Sequence, residues 1–221
     1  TQKNLTIDIE SFKQKNLSNK KYIFFPMHAE PEVSLSVYAR FYSNQINFIR
    51  NVSLALPYGY ELIVKDHPRN HGRRTDEYLK QIKSIERVTL INYEADSLDL
   101  IDLSFGVIML SGFVGFEGLL RNKPVFCFGD SMISRFQNFL PVFNCKSYED
   151  LSIHLKKNNL NLKSINLINF VASIIKRSES IELMTVLLKK SNRFGRKYTP
   201  LLYEENLDNI VNLMKKFIPD L

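Results

Sequence analysis

An alternation along the chain constrains its fold more than any other feature. Short, continuous apolar runs are separated by segments whose apolar residues recur at helical spacing. The first run, Tyr22-Ile23-Phe24-Phe25-Pro26-Met27-His28, is short and rich in aromatic and β-branched residues, which reads as a buried strand. From Asn44 to Leu56 the residues Ile46, Phe48, Ile49, Val52 and Leu56 share one helical face, and Pro57 and Gly59 end the segment. Glu61 to Lys65 is a second strand. Thr75 is placed to cap a helix with Asp76 and Glu77 at its positive end and Tyr78, Leu79 and Ile82 as its apolar stripe. Val88–Ile91, Phe105–Leu110 and Pro124–Phe128 read as strands, with helices at Ser97–Leu103 and Val114–Leu120 between them. Val142-Phe143 reads as a sixth strand. Ser147, with Asp150 three residues on, predicts a capped helix over Tyr148–Lys156.

Strands that alternate with helices across short connections imply right-handed, parallel βαβ units. Continuous apolar strands imply helices on both faces of the sheet. The expected fold class is therefore α/β, a doubly wound parallel sheet over residues 21–160, followed by carboxyl-terminal helices over residues 161–221. Those helices are expected at Ser164–Lys176, Ile181–Lys190 and Glu204–Phe217, with Gly195 and Pro200 separating the last two. Residues 1–20 are polar and read as a linker or frayed helix. At 44% hydrophobic and 24% charged residues, the chain lies outside the disordered class. No apolar run reaches the roughly 18–20 residues of a membrane span, and no leader is legible in Thr1–Lys20. Two cysteines, Cys127 and Cys145, make no disulfide framework. Cys127, inside Val125-Phe126-Cys127-Phe128, is expected to be a buried thiol, which implies a cytoplasmic compartment.

The net charge of +7 is uneven, because residues 151–221 hold twelve Lys/Arg against six Asp/Glu. Nucleic acid is the first partner class a basic chain suggests. No finger spacing, aromatic RNA-binding strand or basic repeat accompanies the charge, so no nucleic-acid partner is expected. A solvated helix surface, or one that faces carbohydrate or an anionic membrane, accounts for it equally. Lys189, Lys190, Arg193, Arg196 and Lys197 would form that surface.

In an open parallel sheet, ligands bind beyond the carboxyl ends of the strands. Four segments rich in chemistry fall there. The first strand runs into His28-Ala29-Glu30-Pro31-Glu32-Val33-Ser34, either a solvated loop stiffened by Pro26 and Pro31 or one wall of a ligand cleft. The second ends in Lys65-Asp66-His67-Pro68-Arg69, with His71, Gly72, Arg73 and Arg74 behind. Such a turn can present imidazole and guanidinium donors to a phosphate. A metal held by His67 and His71 is disfavoured, since Pro68 and Gly72 oppose a regular helix and no cysteine joins them. The fourth strand ends in Ser111-Gly112-Phe113-Val114-Gly115-Phe116-Glu117-Gly118. Its free N–H groups suit an anion, although small residues in a tight turn also serve packing, and no Gly-Lys-Ser/Thr ending makes it a P-loop. Glu117 would repel a phosphate unless it reaches past it to sugar hydroxyls. Phe128-Gly129-Asp130-Ser131 ends the fifth strand, with Asp130 a weaker candidate.

Taken in order, these motifs resemble a known family. Phe24-Phe25-Pro26-Met27-His28-x-Glu30-Pro31-Glu32, Tyr42-Ser43-Asn44-Gln45, Val64-Lys65-Asp66-His67-Pro68 and Gly72-Arg73-Arg74 are similar to the capsule polysaccharide biosynthesis family. Ser111-Gly112-x-x-Gly115-x-Glu117, Asn122-Lys123-Pro124-Val125 and Phe128-Gly129-Asp130 continue the match. The family includes Kdo transferases of bacterial surface polysaccharides, which are GT-B enzymes with two Rossmann-like domains and the active site between them. The resemblance covers about Tyr22 to Ser131 and implies the donor-binding half. It implies that His67-Pro68 lies near the donor phosphate, that the Ser111–Gly115 turn gives N–H groups to that phosphate, and that Glu117 holds ribose hydroxyls. His28, Glu30, Glu32 and Ser34 would face the sugar or a partner domain, and Lys65 and Arg73 would neutralise the phosphate.

The resemblance therefore implies glycosyl transfer, inverting or retaining, from a nucleotide-sugar donor, with a CMP-sugar such as CMP-Kdo favoured, to a polysaccharide or glycolipid acceptor. No cofactor and no metal are expected. The resemblance implies an amino-terminal acceptor domain in addition to these residues, so the catalytic residues are unknown and the chain by itself is expected to bind nucleotide weakly and transfer nothing. Peripheral contact with the inner membrane is one use of the basic third. Half of a UDP-sugar 2-epimerase-like enzyme, or a non-catalytic module that binds nucleotide or polysaccharide, are the alternatives.

Overall fold

The computed structural model describes residues 5–15, 20–157, 164–177 and 199–217. It divides into two compact units, Thr1–Leu167 and Ile168–Leu221. In the first, six strands form one parallel sheet: β1 (Lys21–Pro26), β2 (Tyr60–Lys65), β3 (Val88–Ile91), β4 (Gly106–Met109), β5 (Val125–Cys127) and β6 (Val142–Asn144). Their spatial order is β3-β2-β1-β4-β5-β6, and each neighbouring pair is parallel. This is the doubly wound order read from the sequence, with the strand order reversing between β1 and β4. The expected strands are all present.

Helices α1 (Ile9–Lys15), α2 (Gln45–Ala55), α3 (Asp76–Lys83), α4 (Ser97–Leu103), α5 (Val114–Leu120) and α6 (Tyr148–Lys156) complete the first unit. Their starts follow local chemistry. Asn44, Thr75, Asp96 and Ser147 cap α2, α3, α4 and α6 through their side chains, and Ser147 forms a reciprocal capping box with Asp150. One apolar core joins Phe25, Phe48, Val52, Leu62, Val64, Leu79, Ile82, Phe126 and Leu151, on the face covered by α2, α3 and α6. A second joins Phe12, Tyr22, Phe24, Ile63, Ile91, Leu100, Ile101 and Val107, beneath α1 and α4.

Several details depart from the sequence reading. The stretch read as a linker or frayed helix contains α1, and it is docked. Ile7 bridges Ile91 at the β3 edge, and Phe12, 2% exposed, stands edge-on to Tyr22 at 5.1 Å. Residues Ser34–Tyr38, of which only Ser34 belonged to the segment read as a loop, form a turn of π-helix, and Pro68–Asn70 a 3₁₀ turn.

In the second unit, α7 (Ser164–Arg177, which begins just before the division) matches its expected position, and α8 spans Pro200–Phe217. Pro200 opens α8, four residues before the start expected at Glu204. A first-turn proline forfeits no helical hydrogen bond, and Thr199 Oγ1 accepts from the Leu202 N–H at 3.1 Å. The helix expected at Ile181–Lys190, and the basic group Lys189, Lys190, Arg193, Arg196 and Lys197, lie outside the described residues. Among the described residues no helix is long and apolar enough to cross a membrane, and Cys127 and Cys145 are free and buried.

Two measurements test this packing. Gly115 lets α5 lie directly on β4, since a Cβ there would come 2.1 Å from Met109 Sδ and 2.6 Å from Ile133 Cδ1. Gly115→Ala should therefore lower stability by about 1–3 kcal/mol in urea unfolding, the usual cost of overpacking. Burial holds the His154 imidazole below its ordinary 6.5, and Lys157 adds to the effect. The unfolded chain then binds the extra proton first, so stability is full above about pH 6.5 and falls as the pH drops toward the depressed native value. His154→Gln should lose less of its urea midpoint than the parent between about pH 7.5 and about pH 5.5.

Candidate functional site

The carboxyl ends of β1, β2 and β4 are adjacent, because β2 and β4 flank β1. The segments that leave them meet above the sheet. His28 leaves β1 with its backbone held by one side chain, since its N–H donates to Gln45 Oε1 at 2.7 Å and its carbonyl accepts from Gln45 Nε2 at 3.2 Å. Gln45, 1% exposed in the first turn of α2, thus stands in for a neighbouring strand. The same carbonyl also accepts from Asn70 Nδ2 and Arg74 Nη2, each at 3.1 Å.

The His28 ring packs between two loops. Its Nδ1 lies 3.2 Å from Glu32 Oε2. Its Cε1 would lie 3.9 Å from a Cβ on Gly112, which brings the β1 exit against the β4 turn. Gly112 has φ +92°, a conformation open to glycine at little cost. Burial works to raise the Glu32 carboxyl. Hydrogen bonds from Ser34 and His28, and the nearby His28 and His67 imidazoles, outweigh it and hold the group below its ordinary range. His28, Glu32, Ser34 and Gly112 are therefore together, with His67 within electrostatic reach.

His67 caps the 3₁₀ turn Pro68–Asn70, its Nδ1 accepting from the Arg69 N–H at 3.1 Å. That bond assigns the proton of the neutral ring to Nε2. Burial lowers the His67 pKa most, with Arg69 and His28 adding to the effect against Glu32 and Asp66. At neutral pH, His67 therefore offers a neutral N–H donor.

Lys65 ends β2 and is 7% exposed, its Nζ donating to Ser97 Oγ at 2.9 Å. Burial lowers its pKa, opposed by the fields of Asp96 and Glu117. Glu117 is half-buried on α5, and Ser111 is 8% exposed at the end of the β4 segment. Phe113, at the start of α5, supplies no side-chain cap to the first-turn N–H groups.

Three sequence candidates occupy other roles. Glu30 turns away from the ring of His28, its carboxylate meeting Gln45 Nε2 and, at 3.3 Å, Arg74 Nη1. Gly115 is spent on the close approach of α5 to the sheet. Arg73 is exposed, and its neighbour Arg74 is the arginine built into the site. Arg74 has a side chain 6% exposed, donates from Nε to Asp66 Oδ1 at 3.0 Å, and lies 4.3 Å over the Tyr78 ring. Asp66 Oδ1 also accepts from Asn70 Nδ2 at 3.0 Å and from the His67 N–H at 2.8 Å. Sequence reasoning missed Arg74, Asp66, Asn70 and Gln45 as site builders. The tyrosine four residues after Arg74, one helical turn on, was the available signal. Asp130, the weaker candidate, is exposed and lies 3.7 Å from Arg135. Among the described residues no group of three or more His, Cys, Asp or Glu is clustered to hold a metal ion.

Among solved structures, the chain is similar to Anabaena HepE in complex with UDP-glucose, with 14% identity and a TM-score of 0.55, covering 95% of this chain and 55% of that one. The UDP-GlcNAc 2-epimerase of Methanocaldococcus jannaschii matches at 15% identity and a TM-score of 0.51, covering 79% and 50%. KpsC of Thermosulfurimonas dismutans, a beta Kdo 2,7 transferase, matches at 19% identity and a TM-score of 0.47, covering 90% and 56%. The chain thus spans about half the length of these structures, and at such identities the likeness concerns the fold. No curated protein matches the sequence. The family profile described as capsule polysaccharide biosynthesis protein matches residues 3–136, more than half of the chain and every site segment described above. The chain belongs to the capsule polysaccharide biosynthesis protein family.

Proposed function

We propose that the chain is the donor-binding half of a GT-B glycosyltransferase acting in capsule or surface polysaccharide synthesis, with a CMP-sugar such as CMP-Kdo as donor. Residues 21–160 are the nucleotide-sugar-binding domain and residues 161–221 a helical segment. One observation carries this reading. The His28 ring, beside Glu32, lies so near the Gly112 turn that a side-chain carbon on Gly112 would come within 3.9 Å of it, and His67 lies in the field of the same pair. On this reading imidazole, turn N–H groups and Glu117 serve one ligand over β1, at the reversal of strand order where such sheets bind nucleotides.

In this crevice the donor phosphate lies at the Ser111–Gly112 turn and takes a hydrogen bond from His67 Nε2–H. Glu117 holds the ribose hydroxyls, with Lys65 behind it to offset its charge. As the glycosidic bond breaks, negative charge grows on the departing nucleotide, and fixed donors aimed there stabilise it. A second domain supplies the polysaccharide or glycolipid acceptor and the proton-accepting group. The partial coverage of the matched structures accords with such a domain. The work is done at the cytoplasmic face of the inner membrane, and the basic carboxyl-terminal third supports peripheral contact there. The UDP-sugar 2-epimerase reading keeps support from the shared fold of the archaeal epimerase. Solvent deuterium incorporation at C2 of UDP-GlcNAc would select it.

The site assignment is tested by calorimetry with CMP and cytidine. His67→Ala should weaken CMP binding about tenfold, which is about 1.4 kcal/mol, and leave cytidine nearly unchanged. Glu117→Ala should weaken both, because both carry the ribose. Equal weakening of both ligands by His67→Ala would reject the assignment.

A further inference from the structure

A buried guanidinium links the two histidines of the crevice. Arg74 reaches three segments at once. It donates to the His28 carbonyl at 3.1 Å and meets Glu30 at 3.3 Å on the β1 exit, and it binds Asp66 at 3.0 Å on the β2 exit. Its plane is backed by Tyr78 of α3 at 4.3 Å. The Asp66 oxygen that accepts from Arg74 also accepts the His67 N–H at 2.8 Å. One side of the fork therefore fixes the backbone that carries His28, and the other fixes the backbone that carries His67.

Ordinary packing does not account for this arrangement. A buried ion pair is commonly no more stabilising than apolar residues of the same volume, because both charges lose their water. What it supplies is directional. A planar fork satisfies carboxylate and carbonyl acceptors in fixed directions, which the point charge of a lysine does not reproduce. Asn70 runs parallel to it, from the His28 carbonyl at 3.1 Å to Asp66 at 3.0 Å, so the same two anchors are tied twice. The backbones that carry the two rings are thereby tied to each other.

We infer that Arg74 is a positioning residue that registers the His28 and His67 imidazoles as one unit for recognising the phosphate of a nucleotide. This deepens the proposed donor-binding reading and rests on it for the identity of the ligand. Arg74 touches no ligand in this scheme. Its effect passes through the His28 carbonyl and through Asp66.

The test uses Arg74→Lys, which keeps the charge and loses the fork, with His67→Ala as control. Folding is followed by cooperative thermal unfolding, the two rings by imidazole proton–nitrogen correlation spectra, and binding by calorimetry with CMP and cytidine. The expected result is a folded variant in which both the His28 and His67 ring signals move. CMP affinity should fall about fivefold, the loss expected from one misaligned charged hydrogen bond, and cytidine affinity should hold. A folded variant whose CMP affinity matches the parent, or in which only one ring signal moves, overturns the inference. If His67→Ala leaves CMP binding intact, the donor-phosphate reading fails and the ring signals alone decide the role of Arg74. Should Arg74→Lys not fold, Asp66→Asn takes its place. It keeps an oxygen for the His67 N–H while removing the charge that Arg74 binds. Loss of CMP affinity with cytidine unchanged then supports the inference, and unchanged CMP affinity overturns it.

Discussion

The candidate site depends on a single carbonyl. The oxygen of His28 accepts from Gln45, Asn70 and Arg74, three donors from α2, from the 3₁₀ turn after β2 and from the residue just before the Thr75 cap of α3. A strand that has left its sheet must still pair its backbone groups, because unpaired buried groups carry a full desolvation penalty. Here side chains do what the next strand would have done. The chain can therefore turn away from β1 while residue 28 stays as fixed as a residue within the sheet. A ring placed on such a residue has a defined position relative to the β4 turn, which lies against it at Gly112. Loops carry function best when a rigid scaffold sets their ends, and here the scaffold extends two residues past the last strand residue, Pro26.

The sheet was legible because its strands are buried on both faces and carry no competing signal. Ile23 to Phe25 and Leu62 to Val64 are fully buried, and continuous apolar runs of that length between helical segments admit few other folds. The helices α3 and α6 were legible from their caps, where one side chain decides the first turn. The docked amino-terminal segment was hidden because its apolar content is sparse. Leu5, Ile7, Ile9 and Phe12 suffice to pack it, but these few residues among polar neighbours do not make a helical period. The last helix was started four residues late, at Glu204, for a different reason. A proline stops a helix when it lies inside one and starts a helix when a cap precedes it, and only the Thr199 hydrogen bond tells these apart.

The site was legible as a set of segments and not as a set of contacts. Motif order and sheet topology bring His28, His67 and the Ser111–Gly112 turn to one edge, and the structure leaves only the room of a side-chain carbon between the His28 ring and Gly112. What a sequence does not carry is the direction of each side chain. Arg73 and Arg74 are chemically identical and adjacent, yet the first is exposed while the second has a side chain 6% exposed. Asp66, Glu30 and the His28 carbonyl hold Arg74, and Tyr78 offers it an aromatic face one helical turn on. Gly112 and Gly115 are likewise equivalent in a motif. One holds a left-handed turn beside an imidazole, and the other leaves room for Met109 and Ile133.

The arrangement of charge limits how this crevice can recognise an anion. The buried cations are already compensated, Arg74 by Asp66 and Glu30, and Lys65 by the fields of Asp96 and Glu117. His67 is held neutral by burial. Arg69 and Arg73 are exposed, so water and salt screen what they add. Under the proposed reading, the phosphate is therefore met by hydrogen-bond donors of fixed direction more than by free positive charge. Recognition of that kind falls off with misalignment, whereas a point charge tolerates it. That dependence on direction is the physical reason for spending a buried guanidinium and two buried amides, Gln45 and Asn70, on holding the His28 backbone still.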